Sequence, residues 1–366
     1  MQFSRNHYNS SNILIIVLLS CFTTSISLVG LDSDVLSTIA RILTYIVVIF
    51  LLVLNFYPTY SQSNIENRFV FLLLLAVWVG MRASNLYGIG LFFQALLLFL
   101  GALALSNINF FNKIDKALYV GGVAYICLAF AHFLISPIFL NTNYIGACGL
   151  LFCVYFLSRK TRTCNFFAIG CLLFILLSGT RSALLGLMLS LFIYYAFTQK
   201  FIIKYFILLL ILVLTLFFLQ QGYFDYLNSD SFAELVLNKT GKRIESGRFD
   251  IWMSIFSQMN LTDYIIGLGG GLDYEQIIRS KLSAHSGYVY IISSYGIIGL
   301  LLFSLASLFS LVHLFQKGYF YSFLLVTALL FREFFEVTLL HNSFPIALFF
   351  WAFLSNGYLD KNKQLQ

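Results

Sequence analysis

The stretch KLSAHSGYVYIISSYGIIGLLLF, residues 281–303, changes character at His285. The residues before it are polar, and they continue a water-facing run that includes Arg279 and Ser280. The residues after it are apolar over the length of a helix that could cross a lipid bilayer. The stretch therefore indicates a membrane protein in which a polar segment enters a transmembrane helix, with a histidine at the entrance.

The composition of the whole chain supports the same interpretation. Of the 366 residues, 60% are hydrophobic and 10% are charged, whereas soluble domains carry about 45–50% apolar and about 25% charged residues. The apolar residues form repeated blocks, most of them about 16 to 24 residues long, which suffices to cross a hydrocarbon core of about 30 Å as helices. The sequence predicts an all-α polytopic membrane protein.

The apolar blocks predict about 11–12 transmembrane helices. They lie near residues 13–30, 35–56, 69–82, 86–105, 117–136, 143–158, 165–180, 182–198, 202–220, 286–313, 319–338 and 342–357. No small-residue cleavage site follows the first block, so we interpret it as an uncleaved signal anchor. The blocks divide the chain into nine helices in 1–220, a polar loop in 221–285, and three helices with a short tail in 286–366.

The basic residues predict the orientation. With the N-terminus in the cytoplasm, every connection on the cytoplasmic side contains a lysine or arginine, and the first outer connection instead contains Asp32 and Asp34. Because positively charged short loops stay in the cytoplasm, both termini are predicted to be cytoplasmic and the long loop to face outward. The basic residues form no stripe, which argues against nucleic-acid binding.

The long outer loop, 221–285, is predicted to be structured. Its segment SGRFDIWMSIFSQM, residues 246–259, places apolar side chains at helical spacing, and Ser246 is suited to cap the start of that helix. The predicted apolar face consists of Ile251, Trp252, Ile255, Phe256 and Met259.

Four arginines depart from the charge rule because they lie in or beside spans on the outer side: Arg41, Arg82, Arg181 and Arg332. A guanidinium group binds phosphate oxygens through a rigid two-pronged contact, and ionisable residues in spans are candidates for function. For Arg41 and Arg82 the alternative is contact with lipid headgroups. For Arg332 it is an ion pair with Glu333 or Glu336 at helical spacing.

Two arginines stand at positions that favour anions. Arg181 lies in LLSGTRSALLG, where a turn between two apolar blocks puts free backbone donors at the same depth as the charge. Arg248 lies at the start of the predicted loop helix, whose N-terminus also favours negative charge. The alternatives are headgroup contact for Arg181 and an intrahelical pair with Asp250 for Arg248.

His285 is predicted to act as a base. It shares a helix face with Tyr288 and Tyr295, and a neutral imidazole can take a proton from a hydroxyl. Together with two phosphate-holding arginines, it suggests that a sugar hydroxyl attacks an anomeric carbon while a lipid pyrophosphate departs. The alternative for His285 is an interfacial residue that caps the helix.

Other motifs carry little chemistry. GLGGGLDYE, residues 267–275, has neither a strand before it nor a lysine after it, so we interpret it as a flexible turn and not as a nucleotide-binding loop. The six cysteines lack CxxC spacing and are predicted to be packing residues. No histidines and carboxylates stand at metal-ligand spacing, which predicts no metal site.

Four stretches, in this order, resemble the O-antigen polymerase and O-antigen ligase superfamily of bacterial inner-membrane proteins. They cover about residues 140–310 and are NTNYIGACGLLF (141–152), SGTRSALLGLMLSLF (178–192), SGRFDIWMSIFSQMNLTDYIIGLGGG (246–271) and AHSGYVYIISSYGIIGLLLF (284–303). One departure is Ser286, where the family often has Asn, which puts any role of that amide in doubt.

The resemblance implies a bundle related to the C-type glycosyltransferases, with a metal-independent, cofactor-free site under the large periplasmic loop. It implies that His285 is the catalytic base and that Arg181 and Arg248 bind pyrophosphate. Arg82, Arg279, Tyr288 and Arg332 are further candidates for substrate contact. The implied partners are undecaprenyl-pyrophosphate-linked oligosaccharides, the lipid bilayer and a chain-length regulator protein.

Three functions are compatible with the sequence. The favoured one is a polymerase of the inner membrane, which transfers a growing glycan onto a lipid-linked repeat unit. The second is a ligase that transfers the polymer onto lipid A-core. The third is a flippase or transporter of lipid-linked sugars, for which internal repeats and broken helices would be expected. The charges cluster at one face, which favours an enzyme.

Overall fold

The computed structural model describes residues 2–59, 67–105, 111–198, 248–270, 285–340, 344–352, 354 and 357–363. The chain divides into two compact units. The first comprises 1–190, 259–273 and 285–366, and the second comprises 191–258 and 274–284.

The described part of the chain is built from helices and contains no β-strand. In chain order they are α1 (Gln2–Leu28), α2 (Asp34–Thr59), α3 (Asn67–Met81), α4 (Leu86–Leu105), α5 (Phe111–Leu134), α6 (Thr142–Arg159), α7 (Arg162–Leu177), α8 (Arg181–Thr198), α9 (Arg248–Ser257), α10 (Leu261–Ile266), α11 (Gly287–Gln316), α12 (Phe320–Arg332), α13 (Phe344–Ala352) and a 3-10 helix (Tyr358–Lys363).

The helices confirm the predicted fold class, an all-α polytopic membrane protein. Four of the described segments are long and apolar enough to cross a membrane: Val35–Val53, Leu86–Leu103, Lys113–Leu134 and Gly287–Gln316. Five shorter apolar helices accompany them. The predicted block at 202–220 lies outside the described residues.

One predicted span is shorter than the apolar pattern indicates. The block at 319–338 ends as a helix at Arg332, and in the block at 342–357 the structure describes a helix over Phe344–Ala352. The first ends early because the carboxylate of Glu333 accepts hydrogen bonds from the main-chain nitrogens of Thr338 and Leu339, at 2.8 Å each. Those bonds satisfy donors of a non-helical loop, an arrangement that hydropathy does not detect.

The first unit packs these helices around α6 and α13. Residues 145–156 of α6 are continuously buried, and every residue of α13 is buried, as expected for helices that are apolar on all sides. α1 packs against α5, α6 against α7 and α12, α11 against α3 and α12, and α13 against α4. The outward side of α2 exposes Val35, Ile39 and Ile42, which fits a lipid-facing surface.

In the second unit the described residues are the end of α8, from Leu191, and the loop helix α9 with Gln258. α9 is one-sided, since Ile251 and Ile255 are buried whereas Met253 is exposed. Ser246, the predicted cap, lies outside the described residues.

α11 is interrupted at Gly296, whose φ of 68° is not helical. A side chain there would collide with the carbonyl of Ile265. Residues 267–270 run alongside the break, where the nitrogens of Leu268 and Gly269 donate to the carbonyls of Ser293 (2.8 Å) and Ser294 (3.1 Å). Backbone N–H groups of the protein therefore satisfy the carbonyl groups next to the interruption. Irregular backbone inside a membrane requires such partners.

The interpretation of GLGGGLDYE as a flexible turn is wrong for its described part. The nitrogen of Gly270 donates to the carbonyl of Arg82 at 2.7 Å, and the nitrogen of Ser84 donates to the carbonyl of Gly270 at 3.4 Å. Because the glycines lack side chains, this backbone can lie directly between α11 and the end of α3. It is a packed connection between the two.

Candidate functional site

His285 lies two residues before Gly287, the first residue of α11, and adopts a left-handed conformation with φ 47°. It is half-buried. Residues other than glycine seldom adopt this conformation, and they persist in it only where the surrounding structure holds them. The backbone at His285 is therefore set by its neighbours.

The neighbours that hold this backbone belong to the start of α11 and the end of α12. Ser286 caps α11, and its hydroxyl oxygen accepts from the nitrogen of Val289 at 3.4 Å. The same hydroxyl lies 3.4 Å from the carbonyl of Glu333, and the nitrogen of Gly287 donates to that carbonyl at 2.7 Å. Glu333 thus binds the two residues that follow His285.

The carboxyl group of Glu333 is buried at 1% exposure. Burial raises its pKa from an ordinary value of 4.5 to about 8, although the guanidinium of Arg332 and bonds from Thr338 and Leu339 oppose the rise. The group therefore holds a proton near neutral pH. The sequence predicts Glu333 only as an ion-pair partner of Arg332. The available signal is a carboxyl group inside the apolar block at 319–338.

Arg332 joins the end of α12 to the start of α6. Its guanidinium is 3% exposed and donates to the hydroxyl of Thr338 and to the carbonyl of Asn143, the latter at 3.0 Å. Its charge also acts on Glu333. The Nε atom is buried and has no hydrogen-bond partner among the described residues. Arg332 is thus part of the framework that surrounds the start of α11.

The turn before Arg181 meets the start of α6. Thr180 donates from its hydroxyl to the carbonyl of Thr142 at 3.2 Å. A side chain at Gly146 would collide with Thr180, so the glycine permits this approach. Arg181 is the first residue of α8, and the helix start presents main-chain N–H groups beside it.

These contacts connect the predicted site residues of the first unit. Thr142, next to Asn143, binds the residue before Arg181, and Asn143 binds Arg332, whose neighbour Glu333 binds the residues after His285. The structure therefore links the residue before Arg181 to the residues after His285 through a cluster of residues at helix ends. We define this cluster as Thr142, Asn143, Thr180, Ser286, Gly287, Arg332 and Glu333.

The remaining predicted site residues are Arg82, Arg248, Arg279 and Tyr288, of which Tyr288 directly follows Gly287 in α11. Arg248 is the first residue of α9, in the second unit, and Arg279 lies outside the described residues. Tyr288 donates to the carbonyl of Leu330 at 2.9 Å, and Arg82 donates to the carbonyl of Gly267 at 2.7 Å. Each of these two side chains therefore bonds a main-chain carbonyl of the protein.

The described residues hold no group of three or more His, Cys, Asp or Glu side chains that could bind a metal ion. The six cysteines are unpaired with one another, and Cys148, Cys153, Cys164 and Cys171 are buried. These cysteines pack in the helix interior.

Residues 166–304 match a protein-family model described as O-Antigen ligase. The matched segment contains the turn before Arg181, α9 with Arg248, and His285 with the first part of α11. Arg332 and Glu333 lie beyond it. No curated protein matches the chain.

Proposed function

We propose that this chain, an integral membrane protein of the O-antigen polymerase and ligase superfamily, is a glycosyltransferase that polymerises a bacterial surface polysaccharide. In this proposal it transfers a growing glycan from undecaprenyl pyrophosphate onto a lipid-linked repeat unit. The reaction takes place on the periplasmic side of the inner membrane, with both chain termini in the cytoplasm. The bundle belongs to the C-type glycosyltransferase class.

The proposed reaction is a single displacement at an anomeric carbon. The imidazole of His285 takes the proton from a hydroxyl group of the acceptor sugar, and that oxygen forms a bond to the anomeric carbon of the donor. The bond between this carbon and the pyrophosphate oxygen breaks, and the pyrophosphate leaves with the electron pair. Arg181 and Arg248 stabilise the charge that develops on it.

The contact path between the turn before Arg181 and the start of α11 is the observation that carries this proposal. It connects the residue before a proposed phosphate-binding helix start to the residues after the proposed base. The path runs through Thr142, Asn143, Arg332 and Glu333. A helix N-terminus favours an anion, and an arginine at its first position adds a full charge. The base and the leaving-group site would thus share one rigid framework.

Ligation onto lipid A-core is the second candidate, because the matching family model is described as O-Antigen ligase. Both reactions use the same donor chemistry and differ in the acceptor. We favour polymerisation because a short chain of 366 residues that is rich in Phe, Tyr and Ile is typical of the polymerases. The proposed partners are lipid-linked oligosaccharides and a chain-length regulator protein.

The break in α11 does not favour a transporter. Transporters use broken helices to present free carbonyl groups to ions or substrates. In this chain the carbonyls of Ser293 and Ser294 accept hydrogen bonds from Leu268 and Gly269, and Tyr295 accepts one from Trp78. The carbonyl groups at the break are therefore engaged within the protein.

A silver-stained lipopolysaccharide gel from a deletion strain tests the proposal. Loss of a polymerase leaves core with a single repeat unit, and loss of a ligase leaves bare core with polymer still on the lipid carrier. The plasmid-borne gene must restore the ladder in either case. A ladder unchanged by the deletion would exclude both reactions.

A further inference from the structure

Gly287 and Glu333 fit each other by shape. A side chain on Gly287 would collide with the carboxyl group of Glu333, so that the carboxyl occupies the space next to the Gly287 Cα atom. The carbonyl of the same glutamate accepts the hydrogen bond from the Gly287 nitrogen at 2.7 Å. One residue therefore contacts the start of α11 through both its side chain and its main chain.

The same glutamate is fixed from its other side. Its Oε1 atom accepts from the nitrogens of Thr338 and Leu339 at 2.8 Å each. The hydroxyl of Thr338 also bonds its carboxyl and in turn accepts from Arg332, which is anchored on Asn143. The position of Glu333 is thus determined by contacts that do not involve α11.

The residue that needs this support is His285. Its left-handed backbone, with φ 47°, lies one residue before Ser286 and two before Gly287. A strained conformation next to a proposed catalytic imidazole is retained only if the adjacent structure over-determines it. The bonds from Ser286 and Gly287 to Glu333 supply that constraint.

We infer that Glu333 is a positioning residue for His285, which acts by holding Ser286 and Gly287 so that the imidazole points at the acceptor hydroxyl. This inference rests on the proposed function for its catalytic consequence. Its structural part, that Glu333 sets the conformation of His285, stands independently of the reaction.

The proposed role needs the shape and hydrogen bonds of the side chain and not its charge. The raised pKa, about 8, means that the carboxyl group is largely neutral at pH 7. A glutamine has the same shape, and its carbonyl oxygen can accept the bonds from Thr338 and Leu339. Glu333→Gln should therefore preserve the position of His285, whereas Glu333→Ala should release it.

The test uses the full-length protein, purified in detergent with 13C-labelled histidine, and follows the Cε1–H resonance of His285 by NMR. The resonance is assigned by its loss in His285→Gln. We expect it to stay in place in Glu333→Gln and to move in Glu333→Ala. The matched control is Asp360→Ala, because Asp360 is also a buried carboxylate and binds the nitrogens of Tyr321 and Ser322 at the opposite end of α12. This control should leave the resonance unmoved.

Chain transfer is measured on the same proteins with lipid-linked oligosaccharide extracted from the deletion strain. A base displaced by about 1 Å costs on the order of 100-fold in rate. We expect Glu333→Ala to lower kcat by about that factor with KM unchanged, and Glu333→Gln to stay within about threefold of the wild type. If Glu333→Ala does not fold, Gly287→Ala displaces the carboxyl without removing it and should move the resonance in the same way.

The outcomes separate the two claims. If the wild-type protein transfers no glycan, the proposed function fails and the resonance alone decides whether Glu333 positions His285. If Glu333→Ala and Gly287→Ala both leave the resonance in place, the inference is overturned. It is also overturned if Glu333→Gln loses as much kcat as Glu333→Ala while the resonance stays in place, because the ionised carboxylate would then act in the reaction itself.

Discussion

The indole Nε1 of Trp78 donates a 2.8 Å hydrogen bond to the carbonyl of Tyr295, at the residue that precedes the break in α11. Trp78 belongs to α3, so the bond joins two packed helices at the point where one of them loses its own backbone bonds. With the bonds from Leu268 and Gly269, it satisfies the carbonyls on the approach to Gly296. The break in α11 is therefore stabilised by specific hydrogen bonds of the fold.

Gly296→Ala should destabilise the protein strongly. At φ 68° and ψ −171°, a region adopted almost only by glycine, an alanine costs on the order of 1–3 kcal/mol for its backbone alone. Its side chain would also displace the carbonyl of Ile265. We expect a loss of at least about 2 kcal/mol, seen as a lower thermal midpoint of the purified protein. Gly170→Ala is the control, because Gly170 lies in α7 with open space around it and should gain a few tenths to about 1 kcal/mol. Equal thermal midpoints for the two variants would contradict the conclusion that position 296 requires glycine.

Arg82→Met should destabilise the segment 267–270, which lies beside the break in α11. The variant removes the 2.7 Å bond to the carbonyl of Gly267, and hydrogen bonds of charged groups contribute about 1.5–3 kcal/mol. The thermal midpoint should fall, and proteolysis should become faster around residues 267–270. Arg162→Met serves as the control, since Arg162 is exposed and its replacement should change stability by less than about 0.5 kcal/mol. A midpoint unchanged in Arg82→Met would show that the bond is dispensable.

The sequence predicted the helices well because hydropathy reports directly on burial in a bilayer or a core. It placed α11 after His285 and α8 after the turn that contains Thr180, and the structure has both. It missed the interruption at Gly296, because an isolated glycine in an apolar run does not reveal which backbone packs against it.

The contacts that surround His285 also cannot be predicted from the sequence. Glu333 is 48 positions from His285 (333 − 285 = 48), and their relationship depends on how α12 returns beside α11. Single-sequence patterns report on neighbours within one helix, so for Arg332 they offer only an ion pair with Glu333 or Glu336 as the alternative to substrate contact. Its hydrogen bonds instead go to Thr338 and to Asn143 in another helix.

The contribution of Glu333 to the stability of the protein should fall as the pH rises from about 5 to about 8. The folded state holds the proton of Glu333 up to a pKa of about 8, whereas the unfolded state releases it near 4.5. The folded state therefore binds more protons in this window, and stability decreases with pH before it levels off above pH 8. The total change is on the order of a few kcal/mol.

Glu333→Gln provides the comparison for this pH dependence. Because glutamine does not titrate, the difference in thermal midpoint between this variant and the wild type should be small near pH 5 and grow in favour of the variant up to pH 8. A difference that stays constant over this range would show that the Glu333 carboxyl does not titrate there.

The proposed site is tested by His285→Ala, Arg181→Ala and Arg248→Ala. General-base catalysis contributes about 10²–10⁴-fold, so loss of the imidazole should abolish the ladder on a lipopolysaccharide gel. Loss of either guanidinium should do the same, because the departing pyrophosphate would lose a two-pronged contact, and Arg181→Lys should restore little of it.

His313→Ala and Arg162→Ala are the matched controls and should leave the ladder intact, since His313 lies in the last turn of α11 and Arg162 is exposed. Membrane levels of each variant, measured by immunoblot, must equal those of the wild type. A normal ladder from the three site variants would reject the assignment of Arg181, Arg248 and His285, whatever the reaction proves to be.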